Sequence, residues 1–228
     1  PELARLYGVP TWDGQATPPT FARGTRPGLL TRAALLASET GNTRPIMKGT
    51  FIRRHILCDV VPPPPPGLMV QPQDVSTDQS TRQVVEQLTE QKDSTCAACH
   101  AVYINPLGYV TENFDALGRA RNEQTLFDPT GKETRRVPVE TKTVPRVIED
   151  DEREVANAGE LAARIVESGK AEACLARAAF HFTFARWDDP ERDGCALESL
   201  RRTIKEGTLA DFVRETALLP AFRQRTFE

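Results

Sequence analysis

Three residues in this chain could act together on one flat ligand: Cys96, Cys99 and His100, in the run Ser94-Thr95-Cys96-Ala97-Ala98-Cys99-His100. On a helical turn, positions i, i+3 and i+4 share one face. Two thiols there can add across vinyl groups as thioethers, and the imidazole can bind a metal at the ring's centre. C-x-x-C-H is the attachment signature of a c-type haem. The expected cofactor is therefore one covalently attached haem c, with His100 as proximal ligand. Such a ligand needs a partner for its other ring nitrogen. A backbone carbonyl within Asn105-Pro106-Leu107 is the expected acceptor, since Pro106 restricts that turn. Pro106, Tyr109 and Phe114, just downstream, are assigned to the same cofactor pocket.

Other chemistries fit the residues less well. A redox dithiol of the C-x-x-C type belongs with a βαβ pattern, and none surrounds the motif. A zinc site needs two further ligands, and no second C-x-x-C or H-x-x-x-H occurs. No nucleophile–base pair, carboxylate dyad or phosphate loop is evident. The sixth position on the metal has four candidates in this chain, ranked Met47, His181, Met69 and His55, with a ligand from a module outside the chain as the further alternative. A thioether there raises the potential relative to a second imidazole.

The cysteine count bears on compartment. Two of five cysteines go to haem, leaving Cys58, Cys174 and Cys195. Cys174 and Cys195 lie on adjacent helical segments joined by a tight turn, so the expected disulfide is Cys174–Cys195. Cys58 is then odd, either buried and free or bonded to a segment outside this chain. Haem c and disulfides belong to exported proteins, so the expected location is periplasmic, cell-envelope or extracellular. The chain begins Pro1-Glu2-Leu3 and is read as processed, or as a piece of a longer precursor.

The elements that must position these residues read as mainly α. The chain has 228 residues, 27% charged and 39% hydrophobic, with 18 prolines and a net charge of −3. That balance gives no reason to expect nucleic acid or a membrane surface as partner, and no apolar run approaches the ~20 residues of a membrane span. Residues 1–27 read as an extended N-terminal arm, and 28–121 as a cytochrome c-like helical haem module. Within it, helices are expected over Gly28–Leu36, from Pro45 to about Cys58, over about 80–92 behind an Asp78 or Ser80 cap, and from Gly108 to Phe114. Val84, Val85 and Leu88 should face inward. The proline run Pro62–Pro66 is a stiff spacer, followed by a loop over 67–77. Residues 122–156 are polar, fitting a β-ribbon or a mobile loop. Residues 157–228 form a C-terminal helical bundle with helices near Glu160–Glu167, Glu172–Phe184, Asp193–Lys205 and Leu209–Leu218, stopped at Gly169, Pro190, Gly207 and Pro220. Phe180, Phe182, Phe184 and Trp187 are expected in its core.

The order of these motifs is familiar. Gly28-Leu29-Leu30-Thr31, Pro45-Ile46-Met47-Lys48-Gly49, Ile56-Leu57-Cys58 before the prolines, the C-x-x-C-H run, Asn105-Pro106-Leu107-Gly108-Tyr109 and the stretch Glu112–Arg119 follow one another. Cys174-Leu175-Ala176-Arg177 through Phe184-Ala185-Arg186 to Cys195 comes after. Together they resemble the C-terminal modules of the large planctomycete-type and myxobacterial cytochrome c-like proteins, mostly catalogued as domains of unknown function. The resemblance runs from about Leu3 onward. It implies an exported, haem-bearing protein that works with other modules or subunits, one of which Cys58 could reach. It supplies no substrate. Segment 122–156 is longer and more charged than the pattern, and Met47, His55 and His181 match no family ligand. The leading expectation is a mono-haem subunit passing single electrons to redox partner proteins within a larger envelope assembly. The alternatives are a haem enzyme with an open distal site acting on peroxide or a small molecule, with His181 or Arg177 as polar distal group, and a structural subunit whose haem staples the fold.

Overall fold

The computed structural model describes residues 2–38, 40–64, 66 and 78–223. The expected loop at 67–77 and the candidate ligand Met69 lie outside these residues. The described chain is mainly α with one small antiparallel sheet. It divides into two compact units: residues 1–53 with 60–164, and residues 54–59 with 165–228.

In the first unit, the arm opens with a short helix α1 (Glu2–Tyr7), where an extended segment was expected. A 3-10 turn (Leu29–Thr31) and α2 (Ala33–Leu36) together take the place of the helix expected from Gly28 to Leu36. Arg26 is buried and ties the end of the arm inward, donating to the Thr31 and Gly118 carbonyls at 3.0 and 2.7 Å. Its guanidinium lies over the rings of Tyr7 and Phe114.

α3 (Pro45–Phe51) starts with proline in its first turn, where the missing N–H costs nothing. The chain then continues as a π-helix over Ile52–Ile56, and Cys58 turns out of it at a φ of 55°. Arg53, on that π turn, is 1% exposed. It donates to the backbone carbonyls of Tyr103, Pro145 and Arg146 at 2.9–3.1 Å and lies over the Tyr103 ring. A buried cation is tolerated when its hydrogens are all directed at acceptors, and the planar guanidinium can serve several at once.

α4 (Thr81–Thr89) begins in a reciprocal cap between Ser80 and Gln83, which selects Ser80 over Asp78. Val85 is fully buried, but Leu88 is half-exposed, so the inward stripe is narrower than expected. α5 (Thr95–Cys99), a second π-helix (His100–Ile104) and α6 (Asn105–Tyr109) follow. The helix expected from Gly108 to Phe114 is replaced: α6 ends at Tyr109, residues 110–113 form turns and Phe114 sits in an isolated bridge to Ala120.

α3 and α6 cross closely, and two glycines permit it. A Cβ on Gly49 would sit 2.9 Å from the Ile104 carbonyl carbon, with the oxygen nearer still; one on Gly108 would sit 2.6 Å from the Pro45 carbonyl carbon. Each lacks a side chain where the other segment's backbone passes. Beneath the crossing, Lys48 and Glu112 are buried with Thr43, whose hydroxyl donates to Glu112 at 2.6 Å, and with Arg121 at 3.4 Å.

Residues 122–156 contain the ribbon: β1 (Glu123–Phe127) pairs antiparallel with β2 (Glu133–Pro138), irregularly at Leu126/Phe127. α7 (Ala158–Ser168) leads the chain into the second unit.

The second unit contains α8 (Lys170–Phe184), α9 (Pro190–Glu206), α10 (Leu209–Leu218) and α11 (Pro220–Arg223). Pro190 and Pro220 begin helices rather than ending them, because proline suits a first turn. Ala176, Leu200, Phe212 and Leu219 form the core, flanked by Phe184. Phe180 is fully buried, but Phe182 is 90% and Trp187 81% exposed, so the expected aromatic core holds for only half of its members.

The disulfide is Cys58–Cys174, not Cys174–Cys195, and Cys195 is an exposed free thiol. Helix geometry gives the reason. α8 and α9 form a hairpin, and Cys174 lies ten residues before the end of α8, about 15 Å up from the turn at ~1.5 Å per residue. Cys195 lies only five residues into α9, about half that distance. The left-handed turn at Cys58 instead brings its Cα within 5.2 Å of that of Cys174. Cys58 therefore needs no partner outside the chain.

Candidate functional site

Ser94 caps α5 by accepting from the Ala97 amide at 3.1 Å, which fixes where the helix begins. The His100 amide bonds back to the Cys96 carbonyl, so the α-turn spans Cys96 to His100 and keeps i, i+3 and i+4 on one face. Cys96, Cys99 and His100 are all half-buried, while Thr95 just before them and Ala98 between the cysteines are exposed. Both cysteines are free thiols. The two sulfurs and the ring thus share one face of one turn.

From His100 the helix widens. The π turn closes from the His100 carbonyl to the Asn105 amide, five residues on, and this sets residue 105 beneath residue 100. His100 Nδ1 lies 3.1 Å from Asn105 Oδ1. The acceptor is therefore a side-chain amide rather than the expected backbone carbonyl. The signal that could have located it is an asparagine five residues after the histidine, a spacing that a 3.6 period does not bring together.

Hydrogen bookkeeping fixes the proton on His100. The Val85 carbonyl can only accept, so the Thr89 hydroxyl donates to it at 2.7 Å. Thr89 must then accept from Asn105 Nδ2 at 2.9 Å. The second Asn105 hydrogen goes to Glu90 Oε1 at 2.8 Å. Asn105, with 0% exposure, therefore turns its oxygen toward His100. Nδ1 must carry the hydrogen of the neutral ring, and Nε2 keeps its lone pair. Tyr109 Oη also donates to Glu90 Oε1, at 2.7 Å. Burial first, then that bond to the carboxylate, push the Tyr109 phenol above its ordinary range, so it stays protonated. The Arg82 guanidinium lies over the Tyr109 ring and pairs with Glu86.

The donor set fits a c-type haem. Two unpaired thiols and one imidazole with its Nε2 lone pair available stand on one turn, and the other ring nitrogen is held. Among the described residues, no group of three or more His, Cys, Asp or Glu is placed to hold a bare metal ion by itself. A cleft of about 360 Å³ opens beside the segment after His100, lined by Ala101, Val102, Pro106, Thr143 and Val144 among others.

The other residues singled out from sequence are placed as follows. Pro106 is buried in the first turn of α6 and lines that cleft. Tyr109 joins the Glu90 network. Phe114 does not; it is buried against Arg26 and bridges to Ala120. Met47 is 55% exposed, on the face of α3 opposite Pro45, Lys48 and Gly49. His55 is exposed and belongs to the second unit. His181 also lies there, its Nε2 bonded to Asp188 and its ring against Trp187. Arg177 donates to the same Asp188 at 3.0 Å. No helix among the described residues is long and apolar enough to cross a membrane.

Comparison with curated proteins and with solved structures gave no match. One family model does match, described as PSCyt3, protein of unknown function (DUF1588), over residues 26–124. That span runs from Arg26 through the α3–α6 crossing and the C-x-x-C-H turn into β1. Over it, the chain is similar to a cytochrome-associated module of the kind that its motif order resembles.

Proposed function

We propose that this chain is an exported mono-haem c-type cytochrome subunit that passes single electrons within a larger envelope assembly. The observation that carries the reading is the Cys96–Cys99–His100 turn, with two free thiols and an imidazole whose Nδ1 is already held by Asn105. Cys96 and Cys99 would hold the haem as thioethers, and His100 Nε2 would be the proximal ligand. When bound, the haem supplies one-electron redox chemistry. The protein's part is to hold the imidazole in one tautomer and orientation through a buried amide. The Cys58–Cys174 disulfide supports placement in an oxidising compartment, as thioether attachment does. Redox partner proteins and further modules or subunits complete the proposed assembly.

The test is made on the full chain produced in a host competent for haem c attachment. The polypeptide is denatured, extracted with acidic organic solvent, and its reduced absorption spectrum recorded. Haem that stays with the chain, and leaves it in Cys96→Ala/Cys99→Ala, is the expected result. Haem that extracts from the parent chain, or remains covalent in the double variant, would refute the attachment. A reduced spectrum unmoved by carbon monoxide is expected for electron transfer; a carbon monoxide adduct would favour an open-site enzyme.

A further inference from the structure

We infer that Glu90 is a positioning residue for His100, acting through Asn105. The inference rests on the reading of His100 as the haem ligand. Glu90 caps the C-terminus of α4, ten residues before His100 and outside the C-x-x-C-H motif. Its Oε1 accepts from Asn105 Nδ2 at 2.8 Å and from Tyr109 Oη at 2.7 Å. A carboxylate oxygen offers lone pairs only, so it can face only the NH₂ edge of Asn105. Thr89 is equally constrained, because its one hydrogen is committed to Val85.

Turning the Asn105 amide over would set its oxygen against the Glu90 carboxylate and against a hydroxyl with no hydrogen to give. The NH₂ group would then face His100, and Nδ1 would have to accept. The neutral ring would carry its hydrogen on Nε2, the tautomer that cannot bind a metal through that nitrogen. The carboxylate therefore selects, across one buried amide, the tautomer that presents Nε2. Its negative charge also polarises the Nδ1–H bond through Asn105, which makes Nε2 a stronger donor. A stronger donor stabilises the oxidised metal and lowers the reduction potential.

The experiment compares the full chain with Glu90→Gln, Glu90→Ala, Asn105→Ala and the Glu90→Ala/Asn105→Ala double variant. Covalent haem content and reduction midpoint are measured on each. Glu90→Gln keeps an oxygen able to accept both bonds but removes the charge, so the fold is retained while the donor weakens. A shift to higher potential in both Glu90 variants is expected, equivalent to a several-fold change in the reduced-to-oxidised ratio at fixed potential. The Glu90→Ala shift should vanish on the Asn105→Ala background, because the path runs through that amide. Unchanged midpoints in both Glu90 variants, or an equal shift with and without Asn105, would overturn the inference.

If the parent chain carries no covalent haem, the haem reading fails separately. Histidine ¹⁵N shifts of the same chain then decide the positioning role. The Nδ1–H tautomer in the parent, mixed in Glu90→Ala, supports it; an Nε2–H parent overturns it.

Discussion

Gly49 and Gly108 set how closely α3 and α6 approach, so alanine at either should push the crossing apart. The new Cβ would meet backbone, not the movable end of a side chain: 2.9 Å from the Ile104 carbonyl carbon at position 49, and 2.6 Å from the Pro45 carbonyl carbon at position 108. Ordinary carbon–carbon contact is about 3.5–4.0 Å, so the segments must separate by about 1 Å. A gap of that size forfeits a quarter to a half of the dispersion attraction across an interface. Ile52 and Leu107, both fully buried in these segments, contribute about 2 kcal/mol each. Lost packing is then about 1–2 kcal/mol, to which residual overlap adds, as in over-packed cores that lose about 1–3 kcal/mol. The gain in helix propensity from glycine to alanine offsets about 0.5–1 kcal/mol. The net expectation is a loss of about 2 kcal/mol for each variant, or about 4–8 °C in Tm for a chain of this size. Gly194, inside α9, is the control: a Cβ there meets nothing within 4 Å, so Gly194→Ala should stabilise by about 0.5–1 kcal/mol. Denaturant unfolding followed by circular dichroism measures all three. If Gly49→Ala and Gly108→Ala match Gly194→Ala in sign, the close crossing is not a determinant of the fold.

Three further outcomes are expected. Arg53→Met should cost about 3 kcal/mol or more in urea unfolding, since the carbonyls of Tyr103, Pro145 and Arg146 lose a shared donor at about 1–3 kcal/mol for each one left unsatisfied; Arg53→Lys should recover only part, and equal stability of all three proteins would contradict that role. Cys58→Ser should lower stability by about 4–5 kcal/mol in the loop-entropy account, because the disulfide closes a separation of 116 residues; Cys195→Ser should leave it unchanged, and peptide mapping that finds Cys174 joined to Cys195 would reverse the assignment. Burial, the largest influence, holds the Glu112 carboxyl above its ordinary range against the opposing pull of Lys48, Thr43 and Arg121. The folded state therefore favours protonated Glu112. Its stabilising contribution is full below the ordinary glutamate value of 4.5 and is lost as pH rises through the raised folded value. The stability difference between the parent and Glu112→Gln should thus decline with rising pH from about 4.5 upward, and a pH-independent difference would refute the shift.

The local chemistry of this chain was legible in its sequence. The 3-and-1 spacing of Cys96, Cys99 and His100 put three side chains on one face of a helical turn. The C-terminal helices α7 to α10 could also be read, because a 3.6-residue pattern is a property of short windows; over 122–156 the alternating pieces left a ribbon and a mobile loop both open, and the structure has the β1–β2 ribbon. Three features were not legible, each for a physical reason. The π turn at His100–Ile104 gives up the 3.6 period, so the 100–105 contact follows from no regular spacing. The Glu90–Asn105–His100 chain joins side chains that only the packing of α4 against the π turn brings within reach. The disulfide depended on a left-handed Cys58 joining residues 116 positions apart, whereas helix order alone suggested the nearer Cys195. The sequence by itself determined which groups could address a flat ligand. The tertiary structure decided which nitrogen of His100 holds its proton, because that depends on where a buried amide finds its two acceptors.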